Sequence, residues 1–167
     1  MTRRAPSTAL LTLASALLLG GCATPYPHAP QYRPAEPVTA GQSDRQHLIR
    51  LLHGVVGTPY RYGGASPHTG FDCSGLIYWA SRHAGYRGVP RTVREQYRQL
   101  RRVPLDRLRP GDILFFRFHP GPPTHDGVYI GRGRFIHAPA TGDRVSIARL
   151  DSRFWSRHLI AAARLPR

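Results

Sequence analysis

The sequence predicts an α+β domain with helices first and antiparallel strands after them. Three observations lead there. Between residues 43 and 100 the apolar residues recur at helical spacing and are preceded by capping residues. After Arg109-Pro110-Gly111-Asp112 they form short runs, most of them rich in β-branched or aromatic residues. Gly131, Gly133 and Gly142 punctuate those runs where tight turns are needed. Segregated helices and strands are the α+β pattern, whereas strict alternation would indicate a parallel sheet.

The elements follow in order. A first helix is expected from Ser43, with Gln46 as its capping-box partner. Ile49, Leu52 and Val56 form its apolar stripe, Leu48 and Val55 widen it, and Gly57 stops it. A loop rich in glycine and aromatic residues fills Thr58 to Asp72. A second helix runs from near Cys73 to about Ala84, with Leu76, Ile77, Ala80 and Ala84 on one face and Cys73 on that same face. Thr92 with Glu95 opens a short polar helix ending near Leu100. Strands are expected at Ile113 to Phe118, Gly127 to Ile130, Arg134 to Ala138, Val145 to Ala148 and Leu159 to Ala163.

The first 42 residues are expected to stand outside this domain, which is taken as residues 43–167. Arg3 and Arg4 precede an apolar run of 11 residues, Ala9 to Leu19. That run is short for a membrane span, which needs about 20 residues, and suits the h-region of a signal peptide over residues 1–21. Leu19-Gly20-Gly21-Cys22 resembles the lipobox of bacterial lipoproteins, implying cleavage before Cys22 and acylation of its thiol. The two or three acyl chains so implied suffice for stable anchoring, as one chain does not. Residues 22–42 then form a tether. Pro25, Pro27, Pro30, Pro34 and Pro37 leave few aliphatic residues to build a core. At about 3 Å per residue, an extended polyproline tether holds a domain roughly 50–60 Å from the membrane. Ala23, not aspartate, follows Cys22, so the expected location is the outer membrane, facing the periplasm.

The chain has 24 arginines, no lysine and 9 acidic residues, for a net charge of +15. Such a charge suits nucleic acid, anionic lipid or an acidic wall polymer. Export and the scatter of the arginines along the whole chain argue against nucleic acid. Arginine also grips carboxylates through a rigid two-pronged donor set.

Only Cys22 and Cys73 are present. With Cys22 acylated, Cys73 has no disulfide partner in an exported chain. Asp72-Cys73-Ser74-Gly75 places its thiol in the first turn of a helix, where unpaired N–H groups and the helix dipole favour a thiolate. A buried structural cysteine is the competing reading, and the cysteine by itself does not decide. His125 and His137 supply what a nucleophile needs: a base, and a third group that orients the base. The two lie 12 residues apart around a turn centred on Gly131. Facing strands would bring them together only through an odd-numbered loop or a bulge, because a simple two-residue turn leaves the rings on opposite faces.

Gly57-Thr58-Pro59-Tyr60-Arg61-Tyr62-Gly63-Gly64, Phe71-Asp72-Cys73-Ser74-Gly75-Leu76, Pro90-Arg91-Thr92, Arg109-Pro110-Gly111-Asp112, His125 through Gly131 and Phe135-Ile136-His137-Ala138 occur in that order across about residues 44–164. Together they resemble the signature of NlpC-type cell-wall peptidases. The resemblance implies a papain-like α+β fold with N-terminal helices packed on a five- to six-stranded antiparallel sheet. It implies a Cys–His–polar triad without metal or cofactor, in a monomer that hydrolyses peptidoglycan stem peptides or cross-links through a thioester acyl-enzyme. Carried over residue by residue, Cys73 resembles the nucleophile, His125 the general base and later acid, and His137 the orienting member. Tyr60 matches a tyrosine that supports the oxyanion site, where one donor is typically worth about 3–4 kcal/mol, and the Cys73 N–H is the natural second donor. Asp72 and Ser74 match positions that bind the substrate's amino end, and Arg91 matches a motif position of unassigned role.

One departure stands out. The catalytic histidine is usually followed by an aliphatic residue and glycine, and here by Asp126 and Gly127. In a regular strand Asp126 points away from His125, so little effect on the triad is expected, with substrate contacts the place where it would act. The Pro- and Gly-rich segment His119 to Thr124 is expected to form a rim loop. Tyr62 has a claim to line the groove; Trp79 and Trp155 read as packing residues. His28 falls in the tether; His47, His53, His83 and His158 read as solvated, while His68 and His119 border the cleft. No histidine grouping has metal-ligand spacing with a second cysteine, and Arg101-Arg102 reads as a solvated pair. Two further readings stay open on sequence: a catalytically silent wall-binding lipoprotein, and a papain-like amidase or acyltransferase. The intact Cys73, His125 and His137 set argues against the first, and export with a lipid anchor argues against the second. Which peptide bond would be cut is open.

Overall fold

The computed structural model describes residues 40–166. The expected signal peptide, the acylation site Cys22, His28 and most of the tether lie outside the described residues. Helix α1 spans Ala40–Gly54. It therefore starts three residues earlier than the sequence suggests and puts Ser43 inside its first turn instead of at its N-cap. The helix ends at Gly54, three residues before the expected stop at Gly57, and Val56, expected on its apolar stripe, is exposed. In the turn that follows, Gly57 has φ +91° and donates its N–H to the Val145 carbonyl at 2.8 Å. Only a residue without Cβ adopts that backbone cheaply.

The stretch expected to be loop contains a two-residue hairpin, β1 (Ala65–Ser66) with β2 (Gly70–Phe71). Helix α2 follows at Cys73–His83 and α3 at Val93–Gln99, with both halves of the Thr92–Glu95 capping box formed. Strand β3 (Arg101–Val103), a 3₁₀ turn, β4 (Ile113–Phe116), β5 (His125–Gly131), β6 (Arg134–His137), β7 (Ser146–Arg149), helix α4 (Arg153–His158) and β8 (Leu159–Arg164) complete the fold. The six long strands make one antiparallel sheet in the order β3-β8-β4-β5-β6-β7. The domain is thus α+β, with helices on a six-stranded antiparallel sheet as expected.

Burial explains why β4 reads Ile113-Leu114-Phe115-Phe116 with no polar alternation: all four are fully buried because both faces of the sheet are covered. On one face Ile113, Phe115, Val128 and Ile136 pack against Leu48 and Leu52 of α1 and Leu76, Ile77 and Ala80 of α2. On the other, Leu114, Phe116 and Phe135 pack with Val103 under Trp155 and Leu159. Helix α4, not foreseen from the sequence, supplies Trp155. Arg101 and Arg102 are exposed as expected, but they lie on edge strand β3, and Arg102 stacks 3.8 Å above the Tyr97 ring.

The Arg109-Pro110-Gly111-Asp112 turn ties this sheet together. Asp112 is fully buried and accepts two bonds from Arg164, at 2.8 and 2.7 Å, and one from the Arg109 N–H at 2.8 Å. Removing one partner of such a pair strands a charge in the interior. Asp112→Ala is accordingly expected to lower the unfolding free energy by about 3 kcal/mol, read from urea denaturation. A loss below about 0.5 kcal/mol would contradict a buried, charge-paired Asp112.

Candidate active site

Cys73 is the first residue of α2, and the residue before it decides how that helix starts. Asp72 is the N-cap, with β-region φ −87° and ψ 173°, and its Oδ1 accepts from the Gly75 N–H at 2.6 Å. Its Oδ2 accepts from Gly63 N–H at 2.9 Å, which fastens the preceding glycine-rich loop to the helix. Arg91 closes the arrangement with bonds of 3.0 and 2.8 Å to the two Asp72 oxygens, 3.1 Å to Ser74 Oγ and 3.2 Å to the Gly64 carbonyl. Arg91, without a role on sequence, is thus the clamp of the α2 N-terminus. Gly75 permits the close packing: a Cβ there would sit 2.0 Å from the Gly64 carbonyl oxygen. Most of the hydrogen-bonding capacity of Asp72 and of buried Ser74 is taken up in this clamp.

The thiol of Cys73 is partly exposed and free. The helix N-terminus does not dominate its ionisation. Burial first, then the negative charge that Asp126 carries when ionised and that of Asp72, hold its pKa above the usual thiol range, against hydrogen bonds from the backbone N–H groups of Ser74 and Asp126. The resting group is therefore a neutral thiol, and a base must take its proton when it reacts. Tyr60 is held near the thiol by its N–H bond to the Asp143 carbonyl at 2.8 Å. Its pKa is raised by burial first and by Cys73 next, so it stays a protonated O–H donor. Tyr62, in contrast, is 89% exposed.

The two histidines meet through the bulge that the sequence requires. Strands β5 and β6 join through Arg132 and Gly133, both at positive φ. Gly131 pairs with Arg134, but Tyr129 pairs with Phe135 and Val128 with Ile136. One residue, Ile130, is therefore extra on β5. Without it His125 and His137 would lie on opposite faces. With it, Gly127 falls opposite His137, and a Cβ on Gly127 would come 3.2 Å from His137 Cβ and 2.7 Å from the Phe135 ring. The bare glycine lets the two rings approach diagonally, His125 Nε2 to His137 Nδ1 at 3.0 Å. His125 opens β5 instead of preceding it. Ser146 Oγ lies 3.5 Å from His137 Nε2 and extends the chain of polar groups.

Trp155 is part of this centre, not only packing. Its ring stacks on His125, centroids 5.7 Å apart and 30° between planes, and meets His137 edge-on at 4.8 Å. Phe116 and Phe118 close the other sides of His125. The sequence carries no signal for this, because a tryptophan 30 residues from its partner looks like any core aromatic. Burial lowers the pKa of both histidines, and His137 lowers that of His125 further. Both are neutral at rest, with His125 Nδ1 available to accept a proton. No hydrogen bond joins Cys73 to His125 among the described residues. The Asp126 N–H that reaches Cys73 nevertheless places the thiol one residue from His125.

Asp126 overturns an expectation. Alternation along β5 puts His125 with its partner Phe116 on the Trp155 face, and Asp126 with Phe115 on the face covered by α2. It does point away from His125, but toward Cys73. His158 also departs from the solvated reading, packing half-buried against Phe118 and Phe154. His47, His53, His68, His83 and His119 are exposed, and Trp79 packs on Phe71 as anticipated. In the His119 to Thr124 segment all but Pro123 is exposed. Among the described residues no three His, Cys, Asp or Glu side chains are grouped to hold a metal ion.

Comparison with known proteins follows the same lines. The family described as NlpC/P60 family matches residues 57–164. Murein DD-endopeptidase MepH of Escherichia coli (strain K12) is 44% identical over 113 residues, which is 66% of this chain and 42% of MepH. Probable endopeptidase NlpC of the same strain is 34% identical over 158 residues, covering 93% of this chain and 97% of that protein. The crystal structure of a protein described as similar to lipoprotein, NLP/P60 family, from Staphylococcus aureus Mu50 superposes with a TM-score of 0.67 at 36% identity, over 74% of this chain and 42% of that one. The chain thus spans less than half the length of MepH and of the staphylococcal protein. A family match over most of the folded region, a matching fold and this arrangement of histidines around a helix-terminal cysteine agree: the chain belongs to the NlpC/P60 family.

Proposed function

We propose that the chain is a peptidoglycan endopeptidase of the cysteine type. The observation that carries this reading is the His125–His137 bond of 3.0 Å, set one residue from a thiol at a helix N-terminus. The relatives' names, murein DD-endopeptidase and probable endopeptidase, support it. In the proposed reaction Cys73 Sγ attacks the carbonyl of a stem-peptide or cross-link amide while its proton passes to His125 Nδ1. The resulting imidazolium donates its Nε2–H to His137 Nδ1, which stabilises the new charge and holds the ring. The Cys73 N–H and the Tyr60 hydroxyl face the developing oxyanion. His125 then protonates the leaving amine, and a water molecule attacks the thioester and restores the thiol. Asp72 and Ser74 retain the substrate's amino end through whatever hydrogen-bonding capacity the clamp leaves free, with Tyr62 on the groove wall.

The chain is further proposed to be an outer-membrane lipoprotein facing the periplasm and acting as a monomer. The Leu19-Gly20-Gly21-Cys22 segment after an apolar run supports the anchor, and radiolabelled palmitate retained by a Cys22→Ser chain would refute it. The activity is tested by digesting diamino-acid-type peptidoglycan with the full chain and weighing the fragments by mass spectrometry. New peptide termini are expected, and their masses name the bond cut. Binding to sacculi without new termini would make the protein a wall-binding module instead.

A further inference from the structure

Asp126 is fully buried, and among the described residues neither of its carboxylate oxygens has a hydrogen-bond partner of good geometry. An ionised carboxylate in such a place is among the costliest arrangements a protein interior can hold. The neighbours explain how it is tolerated. Phe115, across the sheet, is apolar, and so is the rest of the β4 strand beside it. From α2 and its cap, Cys73 and Asp72 face the group, and Arg91 faces it from the segment before α3. Arg91 is already committed to Asp72 by two hydrogen bonds. What remains within reach of the Asp126 carboxyl is the Cys73 thiol, whose sulfur also receives the Asp126 N–H. The Cys73 S–H is a weak donor that offsets little of the cost of burial, so the carboxyl keeps its proton. Once the thiol has given up its own proton, the sulfur is the acceptor this carboxyl faces among the described residues.

We propose that Asp126 is a further catalytic residue: protonated, its carboxyl O–H donates to the Cys73 sulfur as the thiolate forms, and ionised, it opposes that thiolate and switches the nucleophile off. No proton is lost in the active step. The thiol proton goes to His125, Asp126 keeps its own, and the negative sulfur gains a third donor beside the N–H groups of Ser74 and Asp126. The switch comes when Asp126 gives its proton to solvent and its carboxylate then faces the sulfur lone pairs. Burial pushes the Asp126 pKa up to about 8, only partly offset by Cys73 and Arg91, which sets where the change falls. The sign is that of an acid raised on folding: activity is supported below that value and lost as pH rises through it. The aliphatic residue usual at this position could do neither.

The thiol arm of the test does not depend on the proposed peptidase function; the wall-digestion arm rests on it. The full chain and its Asp126→Asn and Asp126→Val variants are alkylated with iodoacetamide from pH 5 to 10, and the Cys73 peptide is followed by mass spectrometry. The parent rate is expected to stop climbing near pH 8, while Asp126→Asn, which keeps a donor and never ionises, climbs on. The Asn-to-parent ratio rises about tenfold between pH 6 and pH 9. Asp126→Val shows no break near pH 8 but reacts more slowly than Asp126→Asn at pH 6, having no donor. Melting adds a control for folding. The unfolded chain gives up this proton near pH 4 and the folded one near pH 8. Asp126→Asn therefore melts several degrees above the parent at pH 8–9, and that gap narrows toward pH 4. Identical alkylation profiles for parent and Asp126→Asn overturn the proposal, even if the wall is cut. Divergent profiles with an uncut wall uphold the role of Asp126 at the thiol and sink the peptidase reading instead.

Discussion

Cys73→Ala is expected to reduce peptidoglycan cleavage by about 10⁴-fold or more, the scale on which a nucleophile's loss is felt when the rest of a triad stays in place. The size follows from covalent chemistry: without sulfur no thioester forms, and His125 has no proton to take. Folding should not suffer. The thiol is partly exposed, and the helix around it is held by the Asp72 cap and the Arg91 clamp, both left intact. Circular dichroism and melting therefore separate a dead enzyme from an unfolded one. Peptide fragments resolved by mass spectrometry give the measurement. A folded Cys73→Ala chain that still released them at a tenth of the parent's rate would remove Cys73 from the mechanism and the cysteine-peptidase reading with it.

His137→Ala is expected to cost about 10²–10³-fold in kcat with little change in KM. His137 touches the base and not the substrate, so it acts as a positioning residue through His125. Its removal leaves the His125 imidazolium without the 3.0 Å acceptor that stabilises it and opens a hole beside Trp155. His137→Gln, which offers an amide oxygen as acceptor, should recover about tenfold of the loss, whereas filling space alone would recover nothing. The pH profile adds a second readout. Burial keeps His125 neutral well below the ordinary histidine value of 6.5, so the acid limb of kcat/KM should lie below that pH. Removal of His137 lifts its part of the depression and admits solvent, moving the limb upward. An unchanged limb together with an unchanged kcat would leave His137 a packing residue.

These expectations differ in how far the sequence alone supports them. Helices α2 and α3 were legible because their signals are local: the Leu76, Ile77, Ala80 and Ala84 stripe marks α2, and the Thr92–Glu95 capping box marks α3. The runs behind β4, β5, β6 and β8 were legible because burial demands apolar side chains wherever they lie, and half-exposed β7 because Val145 and Ile147 are β-branched. Strand β3 was not, since Arg101-Arg102-Val103 is an edge strand whose two arginines face solvent. Hairpin β1–β2 has two residues a side, too few to show any period. Helix α4 has six residues and is held by what Trp155 packs upon, a long-range fact. The early start of α1 escaped because Ser43 carries a capping pattern that the chain does not use.

By itself the sequence determined the α+β class and the family. It also named Cys73, His125 and His137 as the residues to examine, because residue type, order and capping are written in the chain. Only the tertiary structure decided which side chains meet. A single extra residue on β5 turns His125 to the same face as His137, and nothing in the identity of Ile130 announces a bulge. The same alternation turns Asp126 toward Cys73, where depth of burial makes a carboxyl hold its proton and a helix-terminal thiol hold its own. Protonation depends on what surrounds a group once the chain has closed over it, and that surrounding is assembled from strands and helices distant in sequence.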